Sequence, residues 1–486
     1  MTRAGGAVAL GGRRRRPPGR GPAGAIAIAI SVVGLVLALA GAPTPPAEAA
    51  PGDWPTYLAT NGRSGFNATE TTISAATAST LRLRWTYQAG DVVATQPVVA
   101  NGLVYFGSWD GYERAVTPSG GLVWQTYLGK SVEPCASPQQ GVSSTAAVAT
   151  EQISGVATSV LYAAGGDGEL YALDALNGAT LWRTSLGSSA AGVYLWSSPA
   201  VFGGSVYIGV ASLNDCPLVQ GRVVQLDDAT GAVRHTFNVV PDGCTGGTVW
   251  GSPTIDEASG TLFVATGNLG ACAAPEPYAE AVLSLRAADL ALLGSWQVPA
   301  SQRVADGDFG STPTLFTATV GGAPRPRLGV ANKNGIYYAF DRTSVGAGPV
   351  WRAKIAVGGD CPTCGQGSIA PSAWDGRWLY VAGGNTKITG TSCQGSVRAL
   401  NPANGNPAWQ ACLATGPVLG AVTAAPGVVA VGAGDTLFVL AASTGQRLFT
   451  YRTPPPTGGS LYGAASISQG VLYQADSRGT LYAFGT

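Results

Sequence analysis

The amino-acid sequence predicts an all-β fold, an eight-bladed β-propeller whose last blade is closed by N-terminal and C-terminal strands. Three observations carry this. A strand-and-turn motif recurs along the chain at the spacing of about 40 to 55 residues expected of propeller blades. The composition is turn-rich, with 70 Gly and 32 Pro among 486 residues and only 11% charged side chains. The last copy of the motif also lacks one strand, which a segment ahead of the first copy can supply.

The template runs from Val160 to Trp182: two alternating apolar stretches joined by the Asp167-Gly168 hairpin turn, a second turn at Asn177-Gly178, and a strand ending in Trp182. Ala399 to Trp409 repeats its second half, Val439 to Phe449 does so with Phe449 in the Trp place, and looser copies end at Trp124, Trp296 and Trp351. A further copy puts the only histidine, His235, in the Trp place, where it reads as a structural filler before it reads as catalytic. A small-residue or Pro-containing strand precedes the copies at Gln96-Pro97, Ser198-Pro199, Ser252-Pro253, Thr312-Pro313 and Ala370-Pro371. Seven full units span about residues 91–452, and an eighth starts at Leu461 and ends without its Trp-bearing strand. Leu83-Arg84-Trp85 has that strand's character, so Trp85 should pair with Leu481–Phe484 and remove the open sheet edge.

Residues 1–50 read as a signal peptide or an N-terminal membrane anchor, and residues 51–486 as the propeller domain. Arg13 to Arg16 and Arg20 precede an apolar run from Ala23 to Ala42, followed by a small-residue cleavage site at Ala47-Glu48-Ala49. The run, about 20 residues, is long enough to cross a bilayer if it is not cut. Without residues 1–50 the chain carries 22 basic and 26 acidic side chains, which argues against nucleic acid as a partner. The chain is expected to be secreted or held in the cell envelope, with a membrane partner only through an uncleaved N-terminal segment.

The eight cysteines fit that compartment as disulfides. Cys361-Pro-Thr-Cys364 is followed by Gly365 rather than His, so the usual c-type haem attachment is excluded and a local disulfide is expected, with Cys393 to Cys412 as a second. One histidine and a single CxxC do not assemble a usual zinc site. No phosphate-binding loop, dinucleotide fingerprint or Ser/His/Asp arrangement is present.

Function is expected where a segment departs from what a blade needs. Blade four carries Gly246-Gly-Thr-Val-Trp250-Gly and then Thr266-Gly267-Asn268, with an insertion from Leu269 to Glu280. Asp306-Gly-Asp308 stands between blades four and five, and blade five carries Asn332-Lys333-Asn334-Gly335 through Asp341-Arg342. Singly, Trp250 is a core residue, Asn268 a turn residue and the two aspartates a solvated loop. Their joint occurrence in this order argues against those separate readings.

In this order the motifs resemble those of quinoprotein alcohol dehydrogenases and polyvinyl-alcohol dehydrogenases, the pyrroloquinoline-quinone (PQQ) propeller family. The resemblance covers residues 85–486 as a repeat and is specific over about 243–342. It implies that Trp250 and Lys333 bind PQQ, that Asn268 with Asp306 binds calcium, and that the catalytic base is Asp306 or Asp308, with the spacing between them favouring Asp306. It further implies oxidation of a small-molecule alcohol or polyol, with electrons passed to a separate acceptor. The chain departs from the family at three places. Ala305 stands where a Trp precedes the catalytic Asp, no adjacent Cys-Cys pair exists (Cys135 and Cys216 are isolated), and the calcium-binding Glu of blade three is replaced by Asp215, displaced by about one position. The alternative is a non-catalytic propeller acting as a cell-envelope binding or assembly scaffold, since the fold hosts both.

Overall fold

The computed structural model describes residues 52–132, 138–455 and 459–486. The expected N-terminal targeting segment lies outside them, as does Cys135. Among the described residues no helix is long and apolar enough to cross a membrane.

Among the described residues, eight antiparallel sheets built on four paired strands follow one another, with one further two-stranded sheet, Thr386–Ile388 with Thr391–Cys393, between strands of the sixth. Blade eight closes as the sequence predicts: Arg82–Gln88 pairs with Thr480–Gly485, with Trp85 opposite Ala483 and Tyr87 opposite Leu481. First and last strands of the domain thus share one sheet, and the ring has no free edge there.

The repeated Trp and Gly are two halves of one joint. The Trp182 indole donates to the Asp228 carbonyl of the next blade at 2.9 Å, and a Cβ at Gly231 would lie 2.5 Å from the same ring. Trp124 meets Ala175 and Gly178 in this way, Trp351 meets Pro402 and Gly405, and Trp409 meets Ala442 and Gly445. Each turn glycine has a positive φ and no side chain, so the neighbouring indole rests on bare backbone. Three blades differ from this pattern, blade seven by carrying Phe449 in the Trp register opposite Val439. His235 holds the Trp register opposite Gln225 yet is exposed rather than filling the joint, and the next blade carries Leu290 at φ 58° where the others carry Gly. In blade four the register position is Gly294, and Trp296 sits two residues further on, packing on Tyr338 and Phe340.

Residues at the position ahead of the prolines, and Thr145 at the same place in blade two, form a second series of joints across blades one to five. The backbone N–H groups of Gln96, Thr145, Ser198 and Ser252 donate to the hydroxyls of Thr145, Ser198, Ser252 and Thr312, each on the following blade, at 2.8 to 3.0 Å. Small hydroxylated side chains recur there because each satisfies a buried donor across a blade boundary.

Residues 52–67 belong to no blade. Trp54 exchanges two backbone hydrogen bonds with Val99 of blade one, and the Pro55 carbonyl accepts from Val148 of blade two. Asn61 reaches Val201 of blade three with its side chain and Ile255 of blade four with its carbonyl. Gly62, Ser64 and Gly65 accept from Leu315, Trp374 and Ala424 of blades five, six and seven, and the Asn67 side chain donates to Ile467 of blade eight. The segment therefore circles the axis and bonds the innermost strand of every blade. Arg63, fully buried, holds it together by donating to Thr56, to the Tyr57 carbonyl and to the carbonyls of Pro199 and Pro253.

Candidate functional site

A cavity of about 660 Å³ occupies the channel, and every blade contributes to its lining, including Thr145, Ser198, Ser252 and Thr312 of the hydroxyl series. Trp250, Asp306, Asp308 and Lys333 all lie on its wall. The structure thus brings together residues that the sequence separates by as many as 83 positions, as propeller blades allow when their inner loops meet on the axis.

Three local devices position them. The Trp250 ring lies over Gly310, where a Cβ would come within 2.1 Å of it, and its indole nitrogen donates to Asp308 at 2.8 Å. Asp306 has a left-handed backbone (φ 48°), which turns the loop so that Asp306 and Asp308 both face Lys333. The fully buried Phe309 anchors that loop in the core, and Asn332 clamps it by donating to the Gly307 and Asp308 carbonyls at 2.8 and 3.0 Å.

Lys333 Nζ stands 2.8 Å from Asp306, 2.7 Å from Asp308 and 5.2 Å from the centre of the Trp250 ring. Burial disfavours the Lys333 ammonium, but the two carboxylates outweigh it and raise its pKa, so the side chain stays charged. Asp308 is only 3% exposed; desolvation pushes its pKa up to about 6 against the pull of Lys333. Asp306 keeps 35% of its side chain accessible and is the carboxylate a substrate can reach.

Asn268 donates to Asp306 at 2.5 Å and to Asp215 at 3.2 Å. Asn214 and Asp215 are both left-handed, at φ 53°, in the loop that brings the Asp215 carboxylate to Asn268. Desolvation raises the Asp215 pKa, as does the negative Asp306. Among the described residues no group of three or more His, Cys, Asp or Glu forms a metal cluster by itself. The donors here are two carboxylates and an amide, the hard oxygen set that suits calcium or a similar cation. The cavity wall carries Asp215, Asp306, Asp308 and Asp360 against Lys333 as its one cation. A cation held beside these carboxylates would offset the negative charge this wall presents to an anionic ligand.

The disulfides Cys361–Cys364 and Cys393–Cys412 form as expected. Cys244–Cys272 was not foreseen from the sequence; it ties the blade-four insertion to the loop ahead of Trp250. Cys216 is disulfide-bonded. The Cys361–Cys364 turn reaches the cavity, where Asp360, Pro362 and Thr363 line the rim. Sequence reasoning also missed Asn332 as a clamp, although its motif was visible, and missed Tyr57 and the segment that carries it.

A sequence-family model described as glucose/ethanol/alcohol dehydrogenase, beta-propeller domain, with the short name PQQ, matches residues 54–354, more than half of the chain. A second, described as outer membrane protein assembly factor BamB, matches residues 332–485. Among curated proteins the chain is 26% identical over 335 residues to a quinohemoprotein alcohol dehydrogenase of Comamonas testosteroni, covering 60% of this chain and 45% of that protein. It is 27% identical over 364 residues to a polyvinylalcohol dehydrogenase of a Pseudomonas species, covering 62% and 55%. The chain thus spans about half the length of the curated relatives it matches. The crystal structure of the Comamonas testosteroni quinohemoprotein alcohol dehydrogenase superposes with a TM-score of 0.69 at 20% identity, over 90% of this chain and 81% of that one, a likeness of fold. By the match over residues 54–354, the chain belongs to the PQQ family of glucose/ethanol/alcohol dehydrogenase β-propellers.

Proposed function

We propose that the protein is a PQQ- and calcium-dependent dehydrogenase that oxidises an alcohol or polyol outside the cytoplasm and hands its electrons to a separate acceptor. The observation that carries this reading is the convergence of Trp250, Lys333 and Asp306 on one cavity wall, with Asn268 hydrogen-bonded to Asp306. PQQ, when bound, supplies a two-electron hydride acceptor, and calcium supplies Lewis acidity at its carbonyl. Trp250 offers the stacking face, while Asn268, Asp306 and Asp215 offer the metal oxygens. Asp306, accessible and ion-paired, is poised to take the hydroxyl proton of the alcohol as the hydride leaves its carbon. Lys333 compensates negative charge on that carboxylate and on nearby oxygens. Buried Asp308 positions both Lys333 and Trp250 rather than meeting substrate.

Residues 1–50 act as the export signal or anchor, a role supported by disulfides typical of an oxidising compartment. The match of residues 332–485 to an assembly-factor family favours one second reading, a non-catalytic envelope scaffold. Reconstitution of the purified protein with PQQ and Ca²⁺ decides between them: bound-quinone absorbance and dye-linked oxidation of alcohols are expected. Absence of quinone binding would leave the scaffold.

A further inference from the structure

We propose that residues 52–67 are a plug that seals one end of the propeller channel, so that the cavity has a single mouth, and that Tyr57 on the plug is the floor limiting how deep a ligand reaches. The plug bonds the innermost strands of all eight blades, at Val99, Val148, Val201, Ile255, Leu315, Trp374, Ala424 and Ile467. The cavity-lining residues Thr145, Ser198, Ser252, Thr312 and Pro371 lie three positions before the plug contacts of their own blades. At the rise of a β-strand, three residues are about 10 Å, so the plug crosses the channel one strand-length below the cavity wall. Tyr57 lines the cavity from that side, packing on Leu58, Ala421 and Ala464 above the buried Arg63. The opposite rim carries the accessible acids Asp215, Asp306 and Asp360. Ligand must therefore enter and leave past an acidic rim, and a polymer chain cannot thread the ring; it can engage only by an end or a loop. That consequence for substrate rests on the dehydrogenase reading, whereas the seal does not.

The test needs neither cofactor nor turnover. Free cysteines are absent among the described residues, so Tyr57→Cys introduces a thiol at the floor, with the unsubstituted protein as blank. The introduced thiol should react with a cationic methanethiosulfonate about tenfold faster than with an anionic one at low salt, because an acidic entrance steers cations. The ratio should fall toward one at high salt, and fall also when Asp360→Asn is added. A ratio that ignores Asp360→Asn places access at the other end and overturns the seal; no labelling overturns the floor. If Tyr57→Cys does not fold, hydrogen exchange on the unsubstituted protein decides. The amides of Val148, Ile255, Leu315, Trp374 and Ala424 donate to plug carbonyls, and exchange at loop-like rates would refute the plug.

Discussion

The indole nitrogen of Trp250 donates to the buried carboxylate of Asp308 at 2.8 Å. The flat face offered to the cavity is therefore fixed by the same residue that pairs with Lys333 at 2.7 Å. Orientation of the ring and placement of the cation are one arrangement, and each can be perturbed separately.

Trp250→Ala should weaken quinone binding by about 1–3 kcal/mol, the cost of one lost planar stacking partner. Trp250→Phe keeps an aromatic face, loses the bond to Asp308 and should fall between the two. Fluorescence titration with PQQ measures both; equal affinities in all three proteins would remove Trp250 from the cofactor site.

Asp306→Asn should abolish alcohol turnover while quinone binding survives at saturating calcium, because it removes the base but leaves the stacking face and an amide oxygen for the metal. Asp215→Ala acts differently. It strips one oxygen donor from the Asn268 cluster, so activation should need at least about tenfold more calcium, with turnover restored at saturation. A calcium titration unaffected by Asp215→Ala would mean that the blade-three carboxylate takes no part in metal binding.

Glu113 offers a pH dependence away from the site. It is fully buried beside Val142 and Gly107, neither carboxyl oxygen has a hydrogen-bond partner, and burial raises its pKa from 4.5 to about 8 despite Arg114. Between those values the folded protein holds a proton that the unfolded chain has lost. Stability should therefore decline as pH rises from about 4.5 to 8, by at most about 1.4 kcal/mol per pH unit from this group. Glu113→Gln should flatten that slope in denaturant melts run across the window. An unchanged slope would show that Glu113 is ionised in the fold.

Blade number, blade closure and the quartet at the site were legible because each leaves a mark in the order of residues. The Trp85 strand was found from a missing partner, and Trp250 to Lys333 from departures within a repeat. Asp215 looked misplaced because sequence position does not record the loop, with its two left-handed residues, that brings the carboxylate to Asn268. The plug left no mark: residues 52–67 have no period and no copy, and their bonds to eight strands, six through the backbone and two through the Asn61 and Asn67 side chains, depend on a ring that exists only after folding. His235 was legible as a replaced Trp but not as an exposed residue, because Leu290, which stands where a Trp's glycine partner would be, lies on the next blade.

That partner gives the last prediction. In the regular joints a Trp rests on a Gly; between blades three and four the pair is His235 and Leu290 instead. Gly231→Ala in a regular joint should cost about 1–3 kcal/mol, since it puts a Cβ 2.5 Å from Trp182 at φ 72°. His235→Trp alone should gain nothing, because the buried Leu290 side chain occupies the site on which an indole would rest. Leu290→Gly alone should lose about 1.5–3 kcal/mol of apolar burial. Together the two changes rebuild the regular joint, so the double variant should be more stable than the sum of the single effects by about 1 kcal/mol or more. Denaturant melts of the four proteins give this coupling directly; strict additivity would show that the two positions do not form a joint.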